Sequence, residues 1–431
     1  TSVKVKVNIE QDEYHYFVFG KSDLTQASYD IAQPIVKPKG QFGTLSWSVT
    51  GDNSGNEILA NLDDSVYFNG MIPAGTGRIE RAHLALGQDE SVLPEQGFDI
   101  GLNMASLSFE PTLEFVLDIL DSLPEGQSSE PGVIDAPHLV KGNIQTLNIF
   151  GQDWHNVSLN AKPTVDHWLF SVGAKETLTS VKVFDDIKQK GIRIDADFLQ
   201  IVTKEDESAN APVLNLTGSD KLIAALPPIT AVCKTCTFNG KPLGRVDLKA
   251  KSKGSDLIIE RANFQYLKNN FEGKGTWFGD DKGGKTQISG KLTTKNFDDW
   301  LKDWGLDSGI KDSDATVNLD VNWLGAPHEF NYQHLNGTGN FKLGEGYLSE
   351  VDDKGARYFS LFSLDSLYRK LKLDFNDVFA KGLFYNDIKG DLLLENGVAH
   401  SKSIKMDGVA GDMTMAGLTD LNKKTLDYDV S

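Results

Sequence analysis

Apolar residues recur at every second position along much of the chain, the spacing of strands with one dry face and one wet face. Val3, Val5, Val7 and Ile9 show it first; Leu45, Trp47 and Val49, then Ile100, Leu102 and Met104, then Trp168, Phe170 and Val172 repeat it. Val246, Leu248 and Ala250 follow, and Val317, Leu319, Val321 and Trp323 form the cleanest run. Between such runs lie hairpin-type turn signals: GDNSGN from Gly51, GDDKGG from Gly279, and ENG from Glu395 to Gly397. Strand centres roughly 10 to 14 residues apart leave no room for a crossover helix after each strand, so the pattern predicts an antiparallel meander.

A few segments change to helical spacing. PTLEFVLDILDSL starts at Pro111 and repeats apolar residues at Leu113, Val116, Ile119, Leu120 and Leu123. NFDDWLKDWGL offers Asn296 as a cap and sets Phe297, Trp300, Leu301 and Trp304 on one face. ARYFSLFSLDSLYRKL, from Ala356, carries Phe359, Phe362, Leu367 and Leu371. These amphipathic helices are expected to plug or cap a sheet. Stretches rich in proline, serine and acids from Leu123 and from Thr203 are expected to be surface loops. The segments from Ile149 and from Thr237 share an order of aromatic, turn, strand, turn and strand, which suggests a duplicated hairpin unit.

The chain has 431 residues, enough for a large core, and its 61 acidic against 43 basic residues leave a net charge of -18. That balance argues against a surface that tracks a phosphate backbone, so no nucleic-acid partner is expected. The GDDKGGK stretch lacks the strand-to-helix setting of a phosphate loop. The eight histidines form no close helical pair, His155 and His167 read as strand-surface residues, and no metal or cofactor is expected. Paired acids such as Asp185 with Asp186 and Asp298 with Asp299 read as solvated faces, and no serine elbow or triad order is present. No catalytic residue is assigned, and the chain is not expected to be an enzyme.

The two cysteines, Cys233 and Cys236, lie in one CKTC element. Zinc would need further cysteines and a thioredoxin-like motif a βαβ setting, which leaves a local structural disulfide or a pair of inert thiols. The chain opens at Thr1, has no signal-peptide or membrane-span pattern, and ends on the alternating run LDYDVS, so it reads as a soluble piece excised from a longer chain at both ends. The one-sided strands allow two arrangements. Their apolar faces pack on each other as a closed core, or a long sheet curls into a trough whose apolar face stays open to hydrocarbon.

KGLFYNDIKGDLLLENGVAHSKSIKMDGVAGDMTMAGLTDLNKKTLDYDVS, Lys381 to Ser431, resembles the C-terminal module of the AsmA-like envelope proteins in its order of GD strand, NGVA turn, DG turn and G-x-TDL turn. ARYFSLFSLDSLYRKLKLDFNDVF from Ala356 and CKTCTFNGKPLGRVDL from Cys233 resemble the YhdP branch of that family, which is related to TamB and YdbH. The resemblance is strong from about residue 230 onwards and looser before it. It implies residues 1–230 as a groove-forming β segment with helical insertions and 231–431 as an AsmA-like C-terminal β segment. It further implies a mainly β fold, a long twisted antiparallel sheet curled into an open, taco-like hydrophobic groove with a few amphipathic helices. The implied protein is anchored in the inner membrane and crosses the periplasm of a Gram-negative bacterium. Its implied work is bridge-type lipid transport, with phospholipids as partners and the contacts to inner and outer membrane made by parts outside this chain.

Positions two apart in a strand share a face, which assigns a groove lining of Val246 and Leu248, Leu257 and Ile259, Val317, Leu319 and Val321, Leu392 and Leu394, and Met413 and Met415. An oxidising compartment agrees with a disulfide between Cys233 and Cys236. Two other classes stand beside the lipid conduit: a scaffolding β protein of the envelope without lipid conduction, and a carbohydrate-active β enzyme, which the missing catalytic arrangement disfavours.

Overall fold

A computed structural model describes residues 2–10, 13–32, 35–87, 91–109, 112, 132–149, 151–202, 219–281, 284–305, 309–349, 383–409, 411–423 and 425–431. Strand dominates, in long open ladders with few helices, and the chain divides into two compact units, Thr1–Asp185 and Asp186–Ser431. The expected division at 230/231 follows the reach of the resemblance, not this contact boundary. No described helix is long and apolar enough to cross a membrane.

The first unit contains β1 (Ser2–Glu10), β2 (Glu13–Asp23), β3 (Tyr29–Ala32), β4 (Ile35–Lys37), β5 (Thr44–Asp52), β6 (Gly55–Leu62), β7 (Val66–Pro73), β8 (Arg81–Leu86), β9 (Gly97–Ser108), β10 (Leu139–Ile149), β11 (Gln152–Pro163), β12 (His167–Gly173) and β13 (Thr177–Phe184). Each strand pairs with the next, except that β3 and β4 form a small hairpin of their own between β2 and β5. Because side chains alternate faces, registered partners fall on one side, and a row runs from Val3 through Gly20, Trp47, Ala60, Phe68, Leu84, Ile100, Val140, Ala161 and Phe170 to Val181. The β3–β4 hairpin packs Ile35 against Met104, Ile144 and Val157, each buried and worth about 1.5 to 3 kcal/mol.

The second unit contains β14 (Ile192–Ile201), α1 (Ser219–Ala225), β15 (Ile229–Phe238), β16 (Lys241–Lys253), β17 (Asp256–Tyr266), β18 (Asn269–Phe278), β19 (Lys285–Thr294), α2 (Phe297–Asp303), β20 (Ile310–Lys311), β21 (Ala315–Leu324), two 3-10 turns (Pro327–Glu329 and Tyr332–His334), β22 (Asn336–Leu343), β23 (Gly346–Leu348), β24 (Leu383–Glu395), β25 (Val398–Gly408), β26 (Met413–Asp420) and β27 (Thr425–Val430). The ladder runs from β14 to β27 in chain order, except that β19 pairs with β21 and β22 with β24, while β23 pairs with β24 and β20 with β23.

The antiparallel expectation needs one correction. β8 with β9, β9 with β10, and β14 with β15 are parallel. A parallel join needs a long return of about a dozen residues, and each joins strands across a long connection: 87–96, 109–138 and 202–228. The loop expected from Thr203, and the one expected from Leu123 up to residue 131, lie outside the described residues. The segments from Ile149 and Thr237 enter the same arrangement, since β10 and β15 each lie parallel to the preceding strand and then turn back through two antiparallel partners.

Of the expected helices, 296–304 forms α2, capped by Asn296, whose side chain accepts from the Asp299 N–H. Those over 111–123, Thr112 apart, and over 356–371 lie outside the described residues. The hairpins at Gly51 and at Glu395 connect β5 to β6 and β24 to β25.

Candidate functional site

The second unit bears a continuous apolar floor. One row of partners runs from Phe264 through Phe271, Leu292, Val317, Phe341, Gly390, Ile404 and Met415 to Val430. Beside it Leu248, Ala262, Gly273, Gly290, Leu319, Gly339 and Leu392 line up, and a third row joins Ile259, Gly275, Ile288, Val321, Gly337, Leu394 and Ala399. The rows stay in phase because β-bulges correct the alternation: in β17 the inward residues pass from Leu257 and Ile259 to Ala262, Phe264 and Tyr266 across a register shift. A similar shift in β25 carries Ser401 to Ile404.

Over this floor lies a cavity of about 700 Å³. Its floor comes from β16 to β27; Phe297, Trp300, Leu301 and Trp304 of α2 form one wall, and Pro327, Phe330 and Tyr332 of the 3-10 turns form another. Helical spacing puts Phe297, Trp300 and Trp304 on one face, their ring centroids 5.9 and 6.1 Å apart in succession. Asp298 corrects the expectation of a solvated acid pair: it is a buried carboxylate that pins α2, its Oδ2 taking Lys302 at 2.7 Å and Lys311 at 2.8 Å. Among the lining residues the polar ones are few, and Asp303, Asn269 and Thr419 are three of them. Burial in the wall pushes the Tyr332 and Tyr428 hydroxyls above their usual range, with a hydrogen bond from Thr419 opposing it at Tyr428. Glu329, beneath the 3-10 turn, is likewise pushed up by burial, against the Ala326 N–H it accepts at 2.6 Å.

The opposite face of the same strands is charged. Lys249 and Lys251 both bind Glu260, holding its carboxyl down at about 2, and Arg261 meets Asp247 at 2.8 Å. Asn318 pairs with Asn340 at 2.9 Å across β21 and β22. Such a two-faced sheet can hold hydrocarbon on one side and water on the other.

The structure places Leu248, Ile259, Val317, Leu319, Val321, Leu392, Leu394 and Met415 on the cavity wall. Three residues assigned to the lining sit elsewhere on the same face. Leu257 packs in a cluster with Ile223 of α1, Val246 packs by the cysteines, and Met413 packs by Leu343, Tyr385 and Met406. Phe264, Phe271, Phe341 and the 3-10 turn aromatics are not singled out by the sequence reading; alternation around Phe341 and the odd spacing between Leu257 and Phe264 are the available signals.

Cys233 and Cys236 are joined in a disulfide, their Cα atoms 6.0 Å apart. In a regular strand, residues three apart point to opposite faces and stand about 10 Å apart. Here β15 bulges against β16, where Cys233 faces Val246 and Cys236 faces Gly244, which returns both sulfurs to the buried side beside Ala196 and Leu199. Among the described residues no group of three or more His, Cys, Asp or Glu is placed to hold a metal ion. His155 binds Glu176 through Nδ1 at 2.8 Å, and His167 binds Thr164 and Asp166.

A family model described as YhdP protein matches residues 1–431. The chain belongs to the YhdP family. It is 24% identical over 427 residues to a protein of Escherichia coli strain K12 named intermembrane phospholipid transporter YhdP. That alignment takes in 94% of this chain and 32% of the relative, so the chain spans about a third of the relative's length. No solved structure matches the chain.

Proposed function

We propose that this chain is one stretch of a bridge-type phospholipid carrier of the Gram-negative envelope, conducting acyl chains along its apolar β floor through the periplasm from inner to outer membrane. The observation that carries this is the cavity of about 700 Å³ over a floor whose row of apolar partners continues from β17 to β27 across the bulges. The name of the E. coli relative supports phospholipid as the cargo. Exposing the chains of one lipid to water uncovers hundreds of Å² at about 25 cal/mol per Å², a barrier of order 10 kcal/mol. A dry floor removes most of that barrier with no reacting group, so this is a non-enzymatic role without a cofactor. Head groups ride at the open edge. Other parts of the full-length protein, held by an inner-membrane anchor, make the membrane contacts.

The test is a photo-crosslinking residue at Leu319 or Leu394 in living cells. It captures phospholipid, and one at Asn318 or Leu393, on the opposite face, captures little. Equal capture on both faces would leave a scaffold without conduction. Leu319→Asp places a charge on the cavity wall at a cost of several kcal/mol to a passing chain, and it blocks transport while the sheet stays folded. Unimpaired transport in that variant sinks the conduit.

A further inference from the structure

Phe271 lines the cavity from the middle of the floor, stacked on Phe264 with ring centroids 5.4 Å apart and planes at 19°. Its ring does not rise into the trough in the manner of a side chain standing on a sheet. It lies over two registered glycines, Gly273 of its own strand and Gly290 of the next. A Cβ built on Gly273 would stand 2.6 Å from Phe271 Cε1, and one on Gly290 would stand 2.4 Å from Phe271 Cζ. The ring therefore occupies the space that two side chains would otherwise fill. Other floor residues lie down in the same way, with Ile288 over Gly275 and Phe341 against Gly390. At Gly273 the two nearest obstacles are both atoms of that ring, and the nearest backbone atom, Ala262 O, is 3.4 Å away. Gly273 has no left-handed backbone angle, so a methyl group there meets the Phe271 ring and no conformational barrier.

We propose that Phe271 sets the bore of the trough, and that Gly273 and Gly290 serve to keep its ring flat, out of the acyl path. A methyl group at either glycine lifts the ring into the space a hydrocarbon chain must use. The proposal rests on the conduit reading and names the residue that controls passage at that site.

The experiment uses the full-length protein with a photo-crosslinking residue at Leu394, away from the altered pair. The probe is cellular phospholipid, and thermal unfolding verifies that each variant folds. Gly273→Ala lowers capture by about tenfold or more, a factor within the usual cost of overfilling a packed apolar site. Phe271→Ala alone widens the bore and raises capture above the parent's; capture below the parent's overturns the proposal. Combining Phe271→Ala with Gly273→Ala restores it, because the added methyl no longer has a ring to displace. Parental capture in Gly273→Ala overturns the proposal. So does a double variant as poor as Gly273→Ala, which would place the fault in the backbone. If Gly273→Ala does not fold, the double variant with Phe271→Ala, which removes the ring the methyl displaces, recovers both folding and capture; a double variant that also fails to fold overturns the proposal. A parent that captures no lipid at Leu394 overturns the conduit itself, a result distinct from a glycine variant that behaves like a capturing parent.

Discussion

Lys37 is only 2% exposed, yet its ammonium group donates to the carbonyls of Leu24 and Ala27 at 2.7 Å and of Pro38 at 3.4 Å. A buried cation persists where its donors are satisfied. It ties the β3–β4 hairpin to the chain that leads into it, and Lys37→Met removes these charged hydrogen bonds while the carbonyls of Leu24 and Pro38 keep the N–H groups of Ala27 and Gln41. The expected cost is about 1 to 3 kcal/mol, read as a lower urea midpoint with an unchanged slope. Glu176 makes a second residue-scale case. Burial pushes its carboxyl up, but the backbone N–H and ring Nδ1 of His155, each at 2.8 Å, outweigh burial and hold it below its ordinary value of 4.5. A folded-state value below the unfolded one adds stability above pH 4.5 that is lost as pH falls through the folded value. Glu176→Gln should therefore weaken the protein at neutral pH and flatten the acid limb of its stability curve; an acid limb as steep as the parent's would refute this.

At the scale of elements, the disulfide and the bulge in β15 act together. Ala231 and Cys233 share the buried phase before the bulge and Cys236 and Phe238 share it after, which brings Phe238 to the cavity wall. Cys233→Ser with Cys236→Ser should lower stability by about 2 kcal/mol, the low end expected for so short a closed loop, and denaturation with and without reductant measures it. The strands were legible because alternation is a local signal, readable at Val317 to Trp323 without knowing any neighbour. α2 was legible for the same reason, from its Asn296 cap and its aromatic stripe. The three parallel joins were not, since which strand a long connection returns to depends on contacts that sequence spacing does not carry. The cavity wall was legible where alternation holds unbroken, as at Leu319 and Leu394. It was lost where a bulge shifts phase, as between Ile259 and Ala262, or where a helix claims a residue of the same face, as α1 does with Leu257.

At the scale of the whole molecule, the second unit's floor has a counterpart. The row from Val3 to Val181 gives the first unit an apolar face of the same construction, and its β1 residues Val3, Val5, Val7 and Ile9 are 56 to 72% exposed. Where the β3–β4 hairpin packs, that face is closed by Ile35; at Trp47, Phe68, Leu84 and Phe170 it is only half-buried. A sheet that served only as scaffold would gain by burying such residues, at about 25 cal/mol per Å², and by covering them with its own chain. If conduction is the work of the chain as a whole, the first unit must meet lipid as the second does. A photo-crosslinking residue at Phe170 should then capture phospholipid in cells, and one at the neighbouring Ser171, which points to the opposite, exposed face, should not. Phe170→Glu should impair transport as Leu319→Asp does, with both proteins folded by circular dichroism. Capture at Leu319 with none at Phe170 would confine the conduit to Asp186–Ser431 and make the first unit's apolar face a surface with another occupant.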